Sequence, residues 1–324
     1  ETIETEVKQF VVFSSASQSW DYDTNSDISS VKISSNDRYI VSGNGIGISL
    51  FSRDSYIPLW TYTTNYEVYR VDISANGKYI VAGTIGSYKI YLFDKDSSTP
   101  IWTYTAQQDI SALAISSDGE YIVAGSYDDK VYLFDKDSST PLWTYDAQSN
   151  IHDVAISSDG EDIVIGSEDG KIYYFDKDSS SPVWTHNTDG DQIHSVSITA
   201  DGESIIAGVS DDDVYFFDSS SSSPEWTYTT GNEVMTVSIS EDGNFVIAAA
   251  KNDKIYLLNA SQDGELEWSY EAPGWNVNQV DISSEGDHIT ACSQGGGVYL
   301  FEKESNAPVW IKSYPGTTST VSIS

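Results

Sequence analysis

Short apolar runs alternate with polar clusters along almost the whole chain. The clearest unit lies between Ile110 and Trp143, where four runs rich in β-branched and aromatic residues read ALAIS, YIVAGS, KVYLFD and PLWTY. Clusters of Asp, Gly, Ser or Pro bound each run, which is the pattern of short strands joined by turns. The pair Asp118-Gly119 is typical of a tight hairpin, and no segment keeps a 3.6-residue apolar period. The pattern predicts four antiparallel strands per unit, here called a to d, and almost no helix.

A tryptophan recurs on the predicted strand d. A repeat of about 40–50 residues with four strands in each unit is typical of a β-propeller, in which blades surround a central channel. A large apolar residue at one fixed place on every outer strand would pack between neighbouring blades, so we expect these tryptophans to be structural. The series, spaced by 40 to 42 residues, is Trp20, Trp60, Trp102, Trp143, Trp184, Trp226, Trp268 and Trp310.

The number of strands predicts an all-β, eight-bladed propeller that forms a single domain over residues 1–324. Strands a, c and d each occur eight times, whereas strand b is clear only seven times. Residues 1–22 and 317–324 would together form the closing blade, with residues 1–7 as its second strand. Such closure leaves only short, protected edges. Seven blades, with the N-terminal strands outside the ring, is the alternative.

Two families of propeller repeat resemble this unit. LAISSDGEYIVAGS followed by DKVYLFD resembles a WD repeat, and the next segment, DKDSSTPLWTY, resembles the outer strand of pyrroloquinoline-quinone-type propellers. The Gly-His and Trp-Asp dipeptides of WD repeats are missing, and Cys292 alone cannot form the adjacent cysteine pair of the quinone enzymes. The resemblance implies a propeller of the kind found in archaeal or bacterial surface and secreted proteins, without the quinone site.

The chain is strongly acidic, with 50 acidic and 16 basic side chains and a formal net charge of −34. Such a surface repels phosphate backbones and anionic lipid, so we do not expect nucleic acid as a partner. No apolar run reaches the ~20 residues that cross a bilayer. Because the chain starts at Glu1 without Met, as after removal of a signal peptide or trimming, we expect an extracellular or cell-surface protein. A cytoplasmic protein is the alternative.

The residues at the start of strand a vary from repeat to repeat, so the scaffold does not dictate them. In a propeller these positions surround the mouth of the central channel. We expect them to line the channel with polar groups, and an exposed aromatic flanked by acids could bind a sugar, a cation or a side chain of a partner. Trp275, outside the regular series, is one such aromatic. The candidate binding residues are Tyr66, Glu67, Tyr69, Arg70, Asp109, His152, Asp153, His194, Glu233, Trp275 and Asn278.

Metal binding is a weaker expectation. Two histidines at matching positions fall short of the three or four ligands that a transition metal needs. Asp-x-Asp pairs in the linkers between strands c and d resemble the opening of a calcium loop but lack its later Gly and bidentate Glu. We expect hairpin turns there and no cofactor, with calcium as the alternative, at Asp94, Asp96, Asp135, Asp137, Asp176 and Asp178. The triplet that begins at Asn259 is a candidate glycosylation site if the protein is exported.

These features predict a non-enzymatic binding or structural module. A rigid ring would present loops and a channel mouth to a protein or glycan partner, or the protein would assemble with itself. Near-identical units offer repeated surfaces in place of one singular catalytic site. The alternatives are an enzyme, such as a lyase or hydrolase, that uses the channel histidines and acids, and an intracellular WD-type scaffold. If residues 1–22 close the ring, their deletion should abolish cooperative unfolding.

Overall fold

The computed structural model describes residues 9–14, 17–24, 26–273, 276–314 and 318–324. The first two strands, β1 (Gln9–Ser14) and β2 (Ser17–Asp23), form a two-stranded antiparallel sheet. Seven antiparallel sheets of four strands follow along the chain. The four-stranded repeat that the apolar runs predicted is therefore confirmed.

The seven sheets are the blades, numbered in chain order. Blades 1 and 2 contain β3 (Ile28–Ile33), β4 (Tyr39–Asn44), β5 (Gly47–Ser52), β6 (Pro58–Thr63), β7 (Val68–Ile73), β8 (Tyr79–Thr84), β9 (Lys89–Asp94) and β10 (Trp102–Thr105). Blades 3 and 4 contain β11 (Ile110–Ile115), β12 (Tyr121–Ser126), β13 (Lys130–Asp135), β14 (Trp143–Asp146), β15 (Ile151–Ile156), β16 (Asp162–Ser167), β17 (Lys171–Asp176) and β18 (Trp184–Asn187).

The remaining three blades follow the same order of strands. Blades 5 and 6 contain β19 (Ile193–Ile198), β20 (Ser204–Val209), β21 (Asp213–Asp218), β22 (Trp226–Thr229), β23 (Val234–Ile239), β24 (Phe245–Ala250), β25 (Lys254–Asn259) and β26 (Glu265–Glu271). Blade 7 contains β27 (Val277–Ile282), β28 (His288–Ser293), β29 (Gly297–Glu302) and β30 (Trp310–Ser313). A single-turn 3-10 helix, Ala260–Gln262, precedes β26. It is the longest helix in the described part of the chain, so none of its helices could cross a membrane.

The hydrophobic core lies between adjacent blades. Strands b and c are almost wholly buried, as in β12 and β13, whereas strand d alternates between half-buried and exposed residues. Between blades 3 and 4, Val123 and Leu133 pack against Ile151, Ile165 and Phe175. Equivalent clusters between the other blades make each interface a repeat of the last.

The tryptophan series connects each outer strand to the next blade, as expected. Trp143 packs on Phe175 with ring centroids 5.4 Å apart, and its Nε1 donates to the Lys177 carbonyl at 2.6 Å. Four further indoles of blades 1 to 6 donate to the matching carbonyl of the following blade: Trp60 to Lys95, Trp102 to Lys136, Trp184 to Ser219 and Trp268 to Lys303.

Trp226 is the exception. It stacks on Phe216 of its own blade with ring centroids 4.8 Å apart, because blade 6 carries Leu258 where other blades carry Phe. Its Nε1 is buried and has no hydrogen-bond partner among the described residues. The regular series is therefore interrupted between blades 5 and 6.

The described residues form seven four-stranded blades, which was the alternative, and not the eight that the strand count favoured. Among the described residues, β1 pairs only with β2, and residues 318–324 pair with no strand. Residues 1–7, expected to supply the second strand of an eighth blade, lie outside the described residues.

Both ends of the described chain nevertheless contact blade 1. Thr320 Oγ1 accepts a hydrogen bond from Val31 N at 3.4 Å, while the indole of Trp20 on β2 packs on Phe51 and donates to the Arg53 carbonyl at 2.5 Å. On the other side, residues 318–324 contact blade 7, where Gln279 Oε1 and Asp281 Oδ2 accept from Val321 N and Ile323 N at 3.3 and 3.0 Å. We call these contacts the seam. That they form one closing blade with residues 1–8 stays a prediction.

Candidate binding site at the channel mouth

Every inner strand of the seven blades carries a β-bulge near its start. In blade 4, Ile151 pairs with Ser167 and Asp153 pairs with Gly166, so His152 has no partner residue on β16. The other six a–b pairs shift register at the same place. A bulge redirects one side chain and is common beside functional sites. The bulged residues, here called the channel mouth, are Ser29, Tyr69, Ser111, His152, His194, Met235 and Asn278.

Polar side chains after the bulge hold neighbouring blades together. Asp72 Oδ2 accepts from Ile115 N of blade 3, and its Oδ1 accepts from Ile73 N of its own strand, both at 2.9 Å. Asp153 bridges blades 4 and 5 in the same way. Two backbone donors fix the orientation of each carboxylate. In blades 1 and 5, Ser30 and Ser195 stand at the position of Asp153. The hydroxyl oxygen of each accepts one hydrogen bond from a backbone N–H of the next blade.

The inner strands enclose a cavity of about 400 Å³. Five charged side chains line it: Lys32, Arg70, Asp72, Asp153 and Asp281. Burial opposes the charge on Lys32, but the three surrounding carboxylates outweigh that effect and raise its pKa. Burial raises the pKa of Asp72 and of Asp153. The lining of the cavity therefore contains three carboxyl groups and two basic groups.

The two channel histidines lie side by side. Their rings meet edge to face with centroids 6.1 Å apart. Burial lowers the pKa of both imidazoles below the ordinary value, so both are neutral at pH 7. His194 Nε2 lies 3.7 Å from Glu233 Oε2, and Glu233 is itself paired with Lys251. Within the described ranges, neither Nε2 atom has a hydrogen-bond partner.

Tyr69 and Arg70 hold the opposite side of the channel mouth. The Arg70 guanidinium lies 4.1 Å from the centre of the Tyr69 ring, and its Nη1 donates to the Tyr69 carbonyl at 3.3 Å. Such a cation–π contact is favourable where water is partly excluded. Burial raises the pKa of the neighbouring Tyr127. Arg70 is thus held by Tyr69 at the edge of the cavity.

Three further candidates connect elements around the mouth. Glu67 Oε1 accepts from Ser29 Oγ of blade 1 at 2.8 Å, and Asp109 Oδ1 accepts from Gly86 N at 2.6 Å. Asn278 Nδ2 donates to the Thr318 carbonyl at 2.8 Å. Trp275, the last candidate, lies outside the described residues.

Tyr66 belongs to an exposed patch beside the mouth, on the same face of the ring. We call this group of three residues the aromatic patch. Ile46 is 54% exposed, Tyr66 is 48% exposed and Tyr88 is 38% exposed. Thr64 Oγ1 joins the first two by donating to both of their carbonyls. The Tyr66 ring lies over Gly86, where a Cβ would come within 3.1 Å of it.

Tyr88 has an unusual backbone conformation for a bulky residue. Its φ is 61°, in the left-handed region, where Asp129 and Gly170 stand at the equivalent turn of blades 3 and 4. Asp and Gly adopt this conformation readily, whereas it costs other residues about 1 kcal/mol. The turn therefore carries an exposed tyrosine at the expense of stability.

The Asp-x-Asp linkers form hydrogen-bonded turns. Asp94 Oδ1 accepts from Asp96 N at 2.9 Å, and Lys95 pairs with the Asp96 carboxylate at 2.6 Å. The other two linkers repeat this arrangement through Asp135, Lys136 and Asp137, and through Asp176, Lys177 and Asp178. Across the described residues, no group of three His, Cys, Asp or Glu side chains is placed to hold a metal ion.

The glycosylation candidate Asn259 is only 7% exposed. Its Nδ2 donates to Glu267 Oε1 at 2.8 Å, and its Oδ1 accepts from Ser261 Oγ. A glycan on Nδ2 would displace the contact with Glu267.

Several residues of this site were not singled out from the sequence. Lys32, Asp72 and Asp281 occupy the fifth residue of strand a, which reads as an ordinary alternating polar position. The sequence did contain a signal for these three residues. The runs VKIS and VDIS place Lys or Asp at a position where the other repeats carry Ala or Ser. Ile46 and Tyr88 were also missed, although they are the two bulky residues at a turn position that carries Asp or Gly in the other blades.

Comparison with known proteins agrees with this architecture. Residues 86–312 match the family described as outer membrane protein assembly factor BamB, whose profile represents pyrroloquinoline-quinone-type repeats. No individual curated protein matches the chain. The resemblance to quinoprotein-type repeats is thereby confirmed, whereas those to WD repeats and to archaeal or bacterial surface proteins stay predictions.

Proposed function

The chain belongs to the BamB propeller family, and from that membership we propose that it is a protein-binding module that takes part in assembly. The family description names an assembly factor. A rigid ring of seven four-stranded blades suits this role because it presents loops in fixed positions. The channel mouth and the aromatic patch lie on one face of that ring.

The aromatic patch is the observation that carries the proposal. Ile46, Tyr66 and Tyr88 are large apolar side chains that remain exposed on a strongly acidic protein. Aromatic residues are enriched where proteins bind one another. Tyr88 is also held in a conformation that Asp or Gly would adopt without strain. A binding role explains why a residue that weakens the fold is kept at this turn.

A protein partner fits the patch better than a glycan or a second copy of this chain. The aliphatic side chain of Ile46 extends the patch beyond the aromatic surface that a sugar ring stacks on. Two copies would each bring a net charge of −34, and like charges oppose association. Basic side chains on the partner would complement Glu67 and Asp109 beside the patch.

Location and chemistry follow as parts of the same proposal. We place the protein outside the cytoplasm, at the cell surface or in the cell envelope, as the words outer membrane in the family description suggest. We also propose that the module is not an enzyme. A lyase or hydrolase in the channel would use His152 and His194, whose Nε2 atoms contact no nucleophile or acid at hydrogen-bonding distance in the described part of the chain.

Site-specific photo-cross-linking tests the proposal. A photoreactive amino acid at Tyr66, introduced into the protein in its native cells, should give one discrete protein adduct. The same amino acid at Glu120, in an exposed turn on the opposite face, serves as the control. No adduct, or the same adducts from both positions, would overturn the proposal.

Tyr88→Asp separates binding from folding. The substitution places at residue 88 the residue that blade 3 carries there, so we expect stability to rise by about 1 kcal/mol. The cross-link from Tyr66 should weaken at the same time, because the patch loses one of its three members. A variant that is more stable and cross-links as before would show that the patch does not bind the partner.

A further inference from the structure

The face of the ring opposite the channel mouth has an exposed apolar surface of its own. Neighbouring strands of a blade are antiparallel, so the turns between strands a and b and between strands c and d both lie at this face. In blade 1 the c–d turn carries Tyr56 and Ile57, which are 60% and 62% exposed. No other large hydrophobic side chain of the described residues is as exposed. This surface lies away from the aromatic patch and is not used by a partner bound there.

The geometry of the c–d turn does not require these two side chains. Ser55 Oγ accepts a hydrogen bond from Ile57 N at 3.1 Å. The same turn of blade 2 is closed by the same bond, from Thr99 N to Ser97 Oγ at 3.0 Å. It carries Ser and Thr at the positions of Tyr56 and Ile57. Exposed apolar side chains that the fold does not need are typical of a binding surface.

The charges around this turn are balanced. At this face blade 1 carries two basic and two acidic side chains, Arg38, Arg53, Asp37 and Asp54. Arg53 pairs with Asp37 at 3.2 Å, whereas Arg38 and Asp54 have no ion-pair partner among the described residues. Blade 2 is balanced in the same way, by Lys78, Lys95, Asp94 and Asp96. The same two turns of blade 3 contain one basic and four acidic side chains, Lys136, Asp118, Glu120, Asp135 and Asp137.

A second copy of this chain fits such a surface. In a two-fold contact the same residues of both copies meet, so the surface must be complementary to itself. Tyr56 and Ile57 can pack on the same pair of the other copy, while Arg38 and Asp54 each meet the opposite charge. Charges further than about 8 Å from a contact are largely screened at physiological salt, so the local balance counts for more than the net charge of −34. The aromatic patch lacks this balance, because acidic side chains lie beside it.

We propose that the chain forms a two-fold dimer through the turns of blade 1 at the face opposite the channel mouth. Tyr56 and Ile57 lie at the centre of the contact, and Arg38 pairs with Asp54 of the second copy. Two apolar side chains cover far less than the ~800 Å² per partner of a standard interface, so the dimer is weak. Both aromatic patches then face outwards, and one dimer presents two partner-binding faces in a fixed arrangement.

Sedimentation velocity over a range of protein concentrations tests the proposal. The unmodified protein should change from 35.6 kDa to twice that mass as its concentration rises through about 10–100 µM. The variant Tyr56→Ser, Ile57→Thr should stay at the single-chain mass. It carries the residue types that the turn of blade 2 carries, so it should fold normally. Leu142→Thr, which removes a similarly exposed aliphatic side chain from blade 3, is the matched control and should dimerise like the parent.

Charge reversal tests the two-fold arrangement. Arg38→Asp or Asp54→Arg alone places like charges opposite each other in both halves of the contact, so each should weaken the dimer about fivefold. The double variant exchanges the two charges and should restore the dimer, because each Asp again meets an Arg of the second copy. If Asp54→Arg dimerised more tightly than the parent, net charge would control association and the proposed contact would be wrong.

Three other results would also overturn the proposal. A single-chain mass at every concentration would show that the copies do not associate. A dimer that the variant Tyr56→Ser, Ile57→Thr retains would place the contact elsewhere on the molecule. A mass that grows beyond two chains would show an open, head-to-tail contact in place of a two-fold one.

Discussion

The indole N–H determines whether a tryptophan is hydrogen-bonded to the next blade as well as packed against it. Trp143 both packs on Phe175 and donates to the Lys177 carbonyl of the next blade. Trp226 packs on Phe216 of its own blade and in a core cluster with Leu258 of blade 6, but its indole N–H has no hydrogen-bond partner among the described residues. Since a buried group left without its partner is costly, the two tryptophans should respond differently to the same substitution.

Trp143→Phe should destabilise the protein by about 1 kcal/mol more than Trp226→Phe. Both substitutions remove similar apolar surface, but only the first leaves a carbonyl without its indole donor. Chemical denaturation of the two variants measures the difference. Equal losses of unfolding free energy would show that the indole hydrogen bond adds nothing to packing.

Acid should destabilise the fold through the channel histidines. Burial lowers the pKa of His152 and His194 in the folded protein, while the unfolded chain keeps values of about 6.5. As the pH falls below about 6.5, the unfolded state takes up protons that the folded state does not, so stability is lost. The double variant His152→Asn, His194→Asn should therefore lose less stability than the parent between about pH 7 and about pH 5.

Denaturation curves at several pH values measure this difference. The buried carboxylates Asp72 and Asp153 titrate in both proteins, so their effect cancels in the comparison. The same decline in the parent and the double variant would contradict the assignment.

Single residues were predictable from the sequence only where repeats could be compared. The variable positions at the start of strand a proved to be the bulged residues of the channel mouth, because a repeat shows directly where the scaffold tolerates change. Lys32 and Asp281 could not be connected in the same way. They are 249 residues apart, and only the closure of the ring brings their charges together.

At the scale of the elements, a glycine on strand b of blades 1 to 5 lets the inner strand of the next blade approach closely. A Cβ at Gly125 of β12 would lie 2.4 Å from Ile151 Cγ2 of β15, and Gly83, Gly166 and Gly208 meet the same crowding. Blade 7 carries Cys292 at this position. Burial raises the pKa of its thiol to about 12, so the thiol fills space and stays protonated.

Gly125→Ala should therefore destabilise the protein by about 1–3 kcal/mol, the usual cost of overpacking a core. This is opposite in sign to the gain that Gly→Ala often gives by restricting the unfolded chain. Cys292→Ala is the matched control, because a Cβ already fits there, and its loss should be smaller. A Gly125→Ala protein as stable as the parent would show that β12 and β15 can separate freely.

The strands themselves were predictable because turn residues and apolar runs bound each one. The conformation of the turns between strands b and c was less predictable from the sequence. Blade 2 inserts one residue into that turn, which places Tyr88 where blade 3 has Asp129, and the resulting left-handed tyrosine depends on a backbone geometry that no local pattern reveals.

At the scale of the whole molecule, the seam differs from the other junctions between blades. Its hydrogen bonds from Val321 N to Gln279 and from Val31 N to Thr320 resemble those between ordinary neighbours. However, residues 318–324 belong to no sheet that the described residues form. Counting strands could not predict how this segment pairs, because the count shows how many inner segments exist and not which strand the last one lies beside.

Gln279→Ala should make the Val321 amide exchange with solvent about fivefold faster. Ser195→Ala removes the equivalent acceptor from Val237 N, but β23 stays paired with β24, so the Val237 amide should change less. Hydrogen exchange followed by NMR measures both. Equal changes at the two sites would mean that the seam is as firmly held as an interior junction.

The arrangement of the seam has a mechanical consequence. Trp20 donates a hydrogen bond to blade 1 at its outer side, and Thr320 accepts one from the inner strand of the same blade. A force that pulls these two residues apart therefore acts on blade 1 from both sides, and the described contacts that resist it are hydrogen bonds and ring packing. We expect such a force to separate the two ends of the described chain from blade 1 before it unfolds the seven blades.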